Sequence, residues 1–310
     1  MMAGTLPGDR AIESGKAKMR PETLGTISSE ALGEAWKSEY GIDVSPYLPG
    51  SEVALRRVEP AGYYRFEPAF PGSDQFYSNL MRARGYDSPS KAEFLAAASE
   101  ISPAEKVLDV GCGTGNFSLQ CRGEYTGLET NPGAVEDAIA LGRHVTLGLL
   151  EDVPPSSYDV VTLFQVLEHV PDPESFISVA ARCLRPGGKI IVSTPDQDGV
   201  IGRAANQLLN YPPHHLTWWS EEALVKLLAD CGCQTTRVWH EPLQKHHYSV
   251  FIQALLRPAD ERHITRSPGL LLARAIAKVI SPMIRKAWPS IPFVRGHTIM
   301  VVAQKKLTSS

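Results

Sequence analysis

The run Val107-Leu108-Asp109-Val110-Gly111-Cys112-Gly113-Thr114-Gly115-Asn116 carries the densest chemical signal in the chain. An apolar, β-like stretch enters three glycines at alternate positions, and the residues from Asn116 onward read as a helix. Glycine lets the backbone approach a ligand closely, and a helix start turns its first N–H groups toward it. This is the pattern of a nucleotide-like site. A dinucleotide fingerprint would need glycine at 116, where Asn116 stands, and would not set Asp109 beside a pyrophosphate. Glu129 ends the next β-like run, where a sheet of this kind presents a two-acceptor acid to ribose hydroxyls.

Three histidines form the second group. His169 directly follows a further β-like run, Val160–Phe164 and its extension to Val166, and His214 and His215 follow another, Lys189–Ser193. Ligands collect at the carboxyl ends of such strands, and histidine accepts protons near neutral pH. His169, His214 and His215 are therefore the candidate general bases. Tyr77, Arg82, Tyr86 and Lys91 are candidates to close over a ligand. Cys231 and Cys233 have no nearby ligand partners, so packing at a helix end explains them and no metal is expected.

Alternating strands and helices must position these residues. Candidate strands are 107–110, 125–129, 145–147, 160–164, 189–193, 235–239 and 298–303, apolar enough for burial on both sheet faces. Asn131 before Pro132, Asp172 before Pro173, and Ser220 read as helix caps. The pattern predicts an α/β fold: a doubly wound, mostly parallel, Rossmann-like seven-stranded sheet whose last strand is antiparallel. Residues 1–45 read as a flexible leader, 46–100 as an aromatic-rich cap, and 101–240 as the ligand-binding core. Residues 241–296 read as a basic, partly helical insertion before a last strand and tail at 297–310.

With 43% hydrophobic and 21% charged residues over 310 positions, the composition is that of a globular protein. A net charge of -3 gives no general attraction to phosphates, so no nucleic-acid partner is expected. The start lacks an apolar signal-like core, and five scattered cysteines suit reduced thiols, which favours the cytoplasm. From Glu241 to Ser310, eleven Lys or Arg face three acids, and 266–288 mixes cations with an apolar stripe. Peripheral membrane contact through 266–288 and a homodimer interface both fit that stripe.

The sequence resembles the class I S-adenosylmethionine-dependent methyltransferases over about Phe94 to Val238. Within that class it is similar to the type 11 and type 23 methyltransferase-domain families, whose bacterial small-molecule members include ubiquinone-type O-methyltransferases. The resemblance rests on Leu108 to Gly115, on Glu129, on Tyr158 to Val161 running through Phe164-Gln165-Val166-Leu167-Glu168-His169-Val170-Pro171-Asp172-Pro173, and on Leu184-Arg185-Pro186-Gly187-Gly188. S-adenosyl-L-methionine carries an ammonium and a sulfonium, which agrees with an acid at 109. The resemblance implies that Asp109, Gly111 and Gly113, with Cys112 and Gly115, line its methionine end. It implies Glu129 and Thr130 at the ribose, Phe164 and Gln165 at the sulfonium, and Leu150 and Glu151 near adenine. Where relatives often read Gly-Asp-Ala-Glu-Asp, this chain has Gly148-Leu149-Leu150-Glu151-Asp152, so adenine would rest on Leu149 and Leu150. No cysteine precedes Cys112, which excludes the N-terminal zinc ribbon of some relatives. The implied function is in-line methyl transfer to a small-molecule acceptor, with oxygen the favoured acceptor atom. The alternative is a catalytically silent scaffold that binds the same cofactor.

Overall fold

The computed structural model describes residues 23–84, 91–204, 207–256, 268–288 and 290–307. A small antiparallel sheet starts with β1 (Thr23–Ser28), which feeds α1 (Ser29–Tyr40), and continues with β2 (Glu52–Arg57) and β3 (Tyr64–Glu67). Helices α2 (Asp74–Arg84) and α3 (Ala92–Ala98) lead into the large sheet. There β4 (Lys106–Val110), β5 (Glu124–Glu129), α4 (Pro132–Ala140), β6 (Val145–Leu147), β7 (Tyr158–Phe164), α5 (Pro173–Cys183) and β8 (Leu184–Pro195) alternate in the doubly wound manner. The short β9 (Thr217–Trp218) returns to the small sheet. It is followed by α6 (Glu221–Asp230), β10 (Cys233–Gln244), α7 (Tyr248–Leu256), α8 (Pro268–Ala287) and β11 (Ser290–Lys305).

The large sheet has the order β10-β11-β8-β7-β4-β5-β6. Strands β6, β5, β4, β7 and β8 run parallel, while β11 enters antiparallel between β8 and β10. This is the expected architecture. The register sets Asp109 beside Gly127 on one side and Thr162 on the other, near the strands' carboxyl ends. All three expected caps form: Asn131 accepts from Gly133 and Ala134 N–H, Asp172 from Ser175 N–H, and Ser220 from Ala223 N–H. Each satisfies a donor that the first helical turn leaves without a partner.

Four differences from the sequence reading bear on the site. Residues 23–45 belong to the cap and not to a leader, since Leu32 and Trp36 are fully buried and the Trp36 indole donates to the Pro212 carbonyl at 2.9 Å. Their apolar positions look scattered because a strand and a helix, with different periods, share one short stretch. The cap also recruits residues placed with the core: Leu208, Tyr211 and Trp218 pack with Trp36, Phe66 and Phe76. The glycine run leads into one 3₁₀ turn, Asn116–Leu119, where an α-helix was expected. Finally, β10 and β11 reach into the supposed insertion, to Gln244 and from Ser290, leaving α7 and α8 as its helical part. Among the described residues, no helix is long and apolar enough to cross a membrane.

Candidate active site

The donor cleft is a backbone construction. Val110 N–C continuity carries the chain off β4 into a loop whose glycines 111, 113 and 115 all take positive φ, between 55° and 73°. A Cβ on Gly111 would lie 2.7 Å from Val166 Cγ2, and one on Gly115 would lie 2.9 Å from Val145 Cγ2. Those two glycines serve packing. A Cβ on Gly113 would meet no protein atom within 4 Å, so this position leaves the cleft wall bare for a ligand. Arg143 ties the loop from behind by donating to the Thr114 carbonyl and to Asn116 Oδ1, both at 2.7 Å.

Two acids flank this loop. Glu129 accepts from the N–H groups of Gly113 (2.8 Å), Thr130 (2.8 Å) and Asn131 (2.9 Å), so it couples the glycine loop to the start of α4. Asp109 is buried and accepts from the hydroxyls of Thr162 (2.7 Å) and Tyr125 (3.0 Å). Burial pushes its pKa up to about 7 despite those bonds. A cation placed next to it would favour the carboxylate.

A cleft of about 410 Å³ gathers Asp109, Gly111, Cys112, Gly113, Glu129, Thr130, Phe164, Gln165 and His169. Cys112 contributes mainly backbone, because its side chain packs beside Val135, Ala138 and Val145. Leu150 and Glu151 line an adjoining apolar pocket with Leu128, Leu149 and Phe176. Thr130, Gly111 and His169 border both spaces, which makes them one continuous trough. Gly115 is the expected cofactor residue that the structure does not bring to the trough. Lys91 and Tyr77 do reach it, Tyr86 lies outside the described residues, and the side chain of Arg82 is likewise not described.

A second cavity, of about 540 Å³, lies beyond the trough and shares Gln165 and Lys91 with it. Its walls include Glu93, Glu168 and Glu241 together with His214, His215 and His297. Gln165 stands at the junction with φ 57°, a left-handed conformation uncommon for a side-chain-bearing residue and frequent at functional sites. Its N–H donates to the Ser193 carbonyl, which fixes that turn across β7 and β8.

Glu168 is 1% exposed, and neither carboxylate oxygen has a hydrogen-bond partner. Burial raises its pKa to about 8, and burial with the nearby Glu93 charge raises Glu241 to about 7. The histidines move the other way. Burial pulls His169 down to about 4, and it takes His214 and His215 well below the ordinary histidine value, so all three rings are neutral near pH 7. The His169 Nδ1–H donates to the His214 carbonyl, with the Tyr77 hydroxyl 3.2 Å away, and His215 Nδ1 faces Asn210 Oδ1 at 3.0 Å. One nitrogen from each ring lies within 4.8 Å of the others, a spacing able to hold a metal ion. The three rings also pack against one another in edge-on and tilted arrangements, with centroids 4.4 to 4.9 Å apart.

The sequence reading thus finds the trough and the three histidines but misses Glu93, Glu168, Glu241 and His297 as cavity residues. Glu168 lay inside a quoted motif, and its position one residue before His169 was the available signal. Glu93 and Glu241 look like ordinary acids in a helix and a strand until tertiary packing buries them.

A mostly parallel sheet of this order, with one antiparallel strand and a bare glycine wall between two acids, is the arrangement of a class I S-adenosylmethionine-dependent methyltransferase. A family model for a methyltransferase domain matches residues 79–238, just over half of the chain, and the chain belongs to that family. S-adenosyl-L-methionine is accordingly its cofactor, and the lining fits it: Asp109 and Lys91 would meet the amino-acid end, Glu129 the ribose, and Leu149 and Leu150 the base. Among similar proteins, a ubiquinone biosynthesis O-methyltransferase of Idiomarina loihiensis is 33% identical over 144 residues, covering 41% of this chain and 58% of that protein. The same-named protein of Pseudomonas aeruginosa strain LESB58 is 32% identical over 171 residues, covering 46% and 72%. The chain therefore spans between little more than half and nearly three quarters of these relatives' length. A solved S-adenosylmethionine-dependent methyltransferase from Archaeoglobus fulgidus is 18% identical with a TM-score of 0.44, covering 76% of this chain and 95% of that one.

Proposed function

We propose that the protein transfers the methyl group of S-adenosylmethionine to an oxygen of a small-molecule acceptor held in the second cavity. The observation that carries the reading is the shared wall at Gln165 and Lys91, where the donor trough adjoins a polar cavity whose Glu168 carboxylate is buried with no hydrogen-bond partner. In-line displacement needs the acceptor atom aligned behind the methyl carbon, and this shared wall is where the two spaces meet. The carbon–sulfur bond breaks as the oxygen–carbon bond forms, and S-adenosylhomocysteine leaves. A hydroxyl must also lose its proton, which an already neutral amine need not do before attack.

Glu168 is the proton acceptor in this reading, on position: it lines the acceptor cavity, whereas His169 lines the donor trough. With its pKa raised to about 8, it serves only in its ionised form, so transfer to a hydroxyl should rise as pH passes through 8. His169, with Nδ1 committed to the His214 carbonyl, orders the turn between the two spaces. The names of the relatives agree with an oxygen acceptor, and each of those names belongs to that relative.

The test is methyl transfer from labelled S-adenosylmethionine to panels of phenols, catechols, sugars, amines and carbon acids. Label in hydroxyl acceptors supports the reading. Label confined to amines or carbon acids overturns the oxygen assignment, and firm binding of S-adenosylhomocysteine with no transfer to any panel favours the silent scaffold.

A further inference from the structure

Helix α8 buries one narrow stripe, Leu270, Ala273, Ala277 and Ser281, against the rest of the molecule, and packs on α7. Part of its remaining surface is apolar as well. Leu271, Val279 and Met283 follow one another at helical spacing, Leu272 and Ile280 lie beside them, and all five are exposed; Val279 and Met283 reach 70%. Residues at i, i+4 and i+8 form a continuous ridge, so these side chains make a contiguous apolar face. Trp288, just past the helix end, and Phe293, near the start of β11, are exposed too, Phe293 to 88%. Scattered apolar residues on a surface need no explanation, but a contiguous face of this kind marks a contact.

The charges beside the face select the partner. Helix α8 carries Arg274, Lys278, Arg285 and Lys286 and no acid. The segment from Glu241 to Ser310 has a formal charge of +8, against −11 for the rest of the chain. A second copy of the chain docking face to face would bring these cations together. An anionic lipid surface would neutralise them while the apolar ridge enters the interface. Tryptophan at the helix end is also the residue type that settles at headgroup depth.

We infer that α8, with Trp288 and Phe293, is a docking surface for an anionic lipid bilayer. The helix lies on the surface and does not cross it. Arg285 donates to the His246 carbonyl, and His246 and His247 line the acceptor cavity, so docking sets the mouth of that cavity beside the bilayer. The inference does not depend on the methyl-transfer reading, because partitioning is measured without turnover.

The experiment is cosedimentation of the full chain with vesicles of phosphatidylcholine alone or with about a third phosphatidylglycerol, at low and high salt. The expected result is at least about tenfold stronger partitioning to the anionic vesicles, weakened by salt. Val279→Glu with Met283→Glu should reduce it about tenfold or more, and so should Lys278→Glu with Lys286→Glu. These positions are at least partly exposed, so circular dichroism and S-adenosylhomocysteine affinity should match the parent and exclude misfolding. Absence of partitioning, or equal partitioning to neutral vesicles, overturns the inference. So does a lipid-free dimer, seen by light scattering, that Val279→Glu with Met283→Glu dissociates, since the face would then join two copies.

Discussion

The donor trough and the acceptor cavity share Gln165 and Lys91, yet they are built on different physical terms. The trough recognises its ligand with backbone: a bare glycine wall at 113, and a Glu129 carboxylate that already gathers three N–H groups. Such a surface needs few side chains, and those it uses lie close together in sequence. The cavity recognises with buried titratable side chains drawn from α3, the turn after β7, the turn before β9, β10 and β11. Burial raises the pKa of its acids and lowers that of its histidines, which brings both groups toward their neutral forms. A preorganised backbone cradle suits an invariant cofactor, whereas a low-dielectric polar cavity is where one unpartnered group has large consequences.

The contrast breaks most sharply at Gly113. Arginine there would place a long side chain in the open wall and force a left-handed backbone on a residue that disfavours it, so S-adenosylhomocysteine binding should fall below detection by calorimetry. Parent-like affinity in this variant would mean the ligand does not touch the glycine wall. In the other half, Glu168→Gln keeps volume and burial while removing the proton acceptor. Turnover should drop by about a hundredfold or more with cofactor affinity unchanged. A variant that loses cofactor affinity instead would show that the two halves are not separable. His169→Gln offers the matching control: a loss larger than that of Glu168→Gln would return the general base to the histidine.

A smaller effect is expected at Glu129. Replacing it with Ala would remove the charge-assisted bonds proposed for the ribose and free three loop N–H groups, and binding should weaken by about 1–3 kcal/mol. Glu129→Gln removes the charge and one of the two acceptor oxygens that hold the loop, so a loss smaller than that of Ala would measure the share of the remaining acceptor. An unchanged dissociation constant in both variants would place the ribose elsewhere.

Much of the trough was legible because its signals are local. Asn131, Asp172 and Ser220 announced three helices through capping chemistry that acts over three residues, and the alternation of β-like runs with those helices dictated a parallel sheet. Asp109 and Glu129 were readable from their place at strand ends. The helix expected after Gly115 fails because Asn116 and Phe117 turn inward: Asn116 is held by Arg143, and Phe117 packs against Phe94 and Phe164. The acceptor cavity was largely hidden. Glu93 and Glu241 stand 148 positions apart, and only the pairing of β10 with β11 and the docking of α3 bring them to one space. The cap was half legible, since its aromatics stood out from Tyr63 to Phe76, while β1 and β9 were too short for a period to register and α1 buries only Leu32 and Trp36 along its length.

The finest distinction between the halves is electrostatic and concerns Asp109. Burial holds its pKa near 7 in the free protein, above the ordinary carboxylate value, so a fraction of molecules carries a protonated Asp109 at neutral pH. The ammonium of the bound ligand favours the ionised form and lowers that pKa, so binding releases a proton. Affinity should therefore rise with pH until Asp109 is ionised in the free protein, and fall as pH drops through 7. With a free-state pKa of about 7 and a bound state in which Asp109 stays ionised across this range, the dissociation constant should be about tenfold larger at pH 6 than at pH 8. Calorimetry with S-adenosylhomocysteine in two buffers of different ionisation enthalpy would count the released protons directly. An affinity constant across that range, with no proton release, would show that the cation does not sense Asp109. The two hydroxyl bonds from Thr162 and Tyr125 would then define that acid as a brace between β4, β5 and β7.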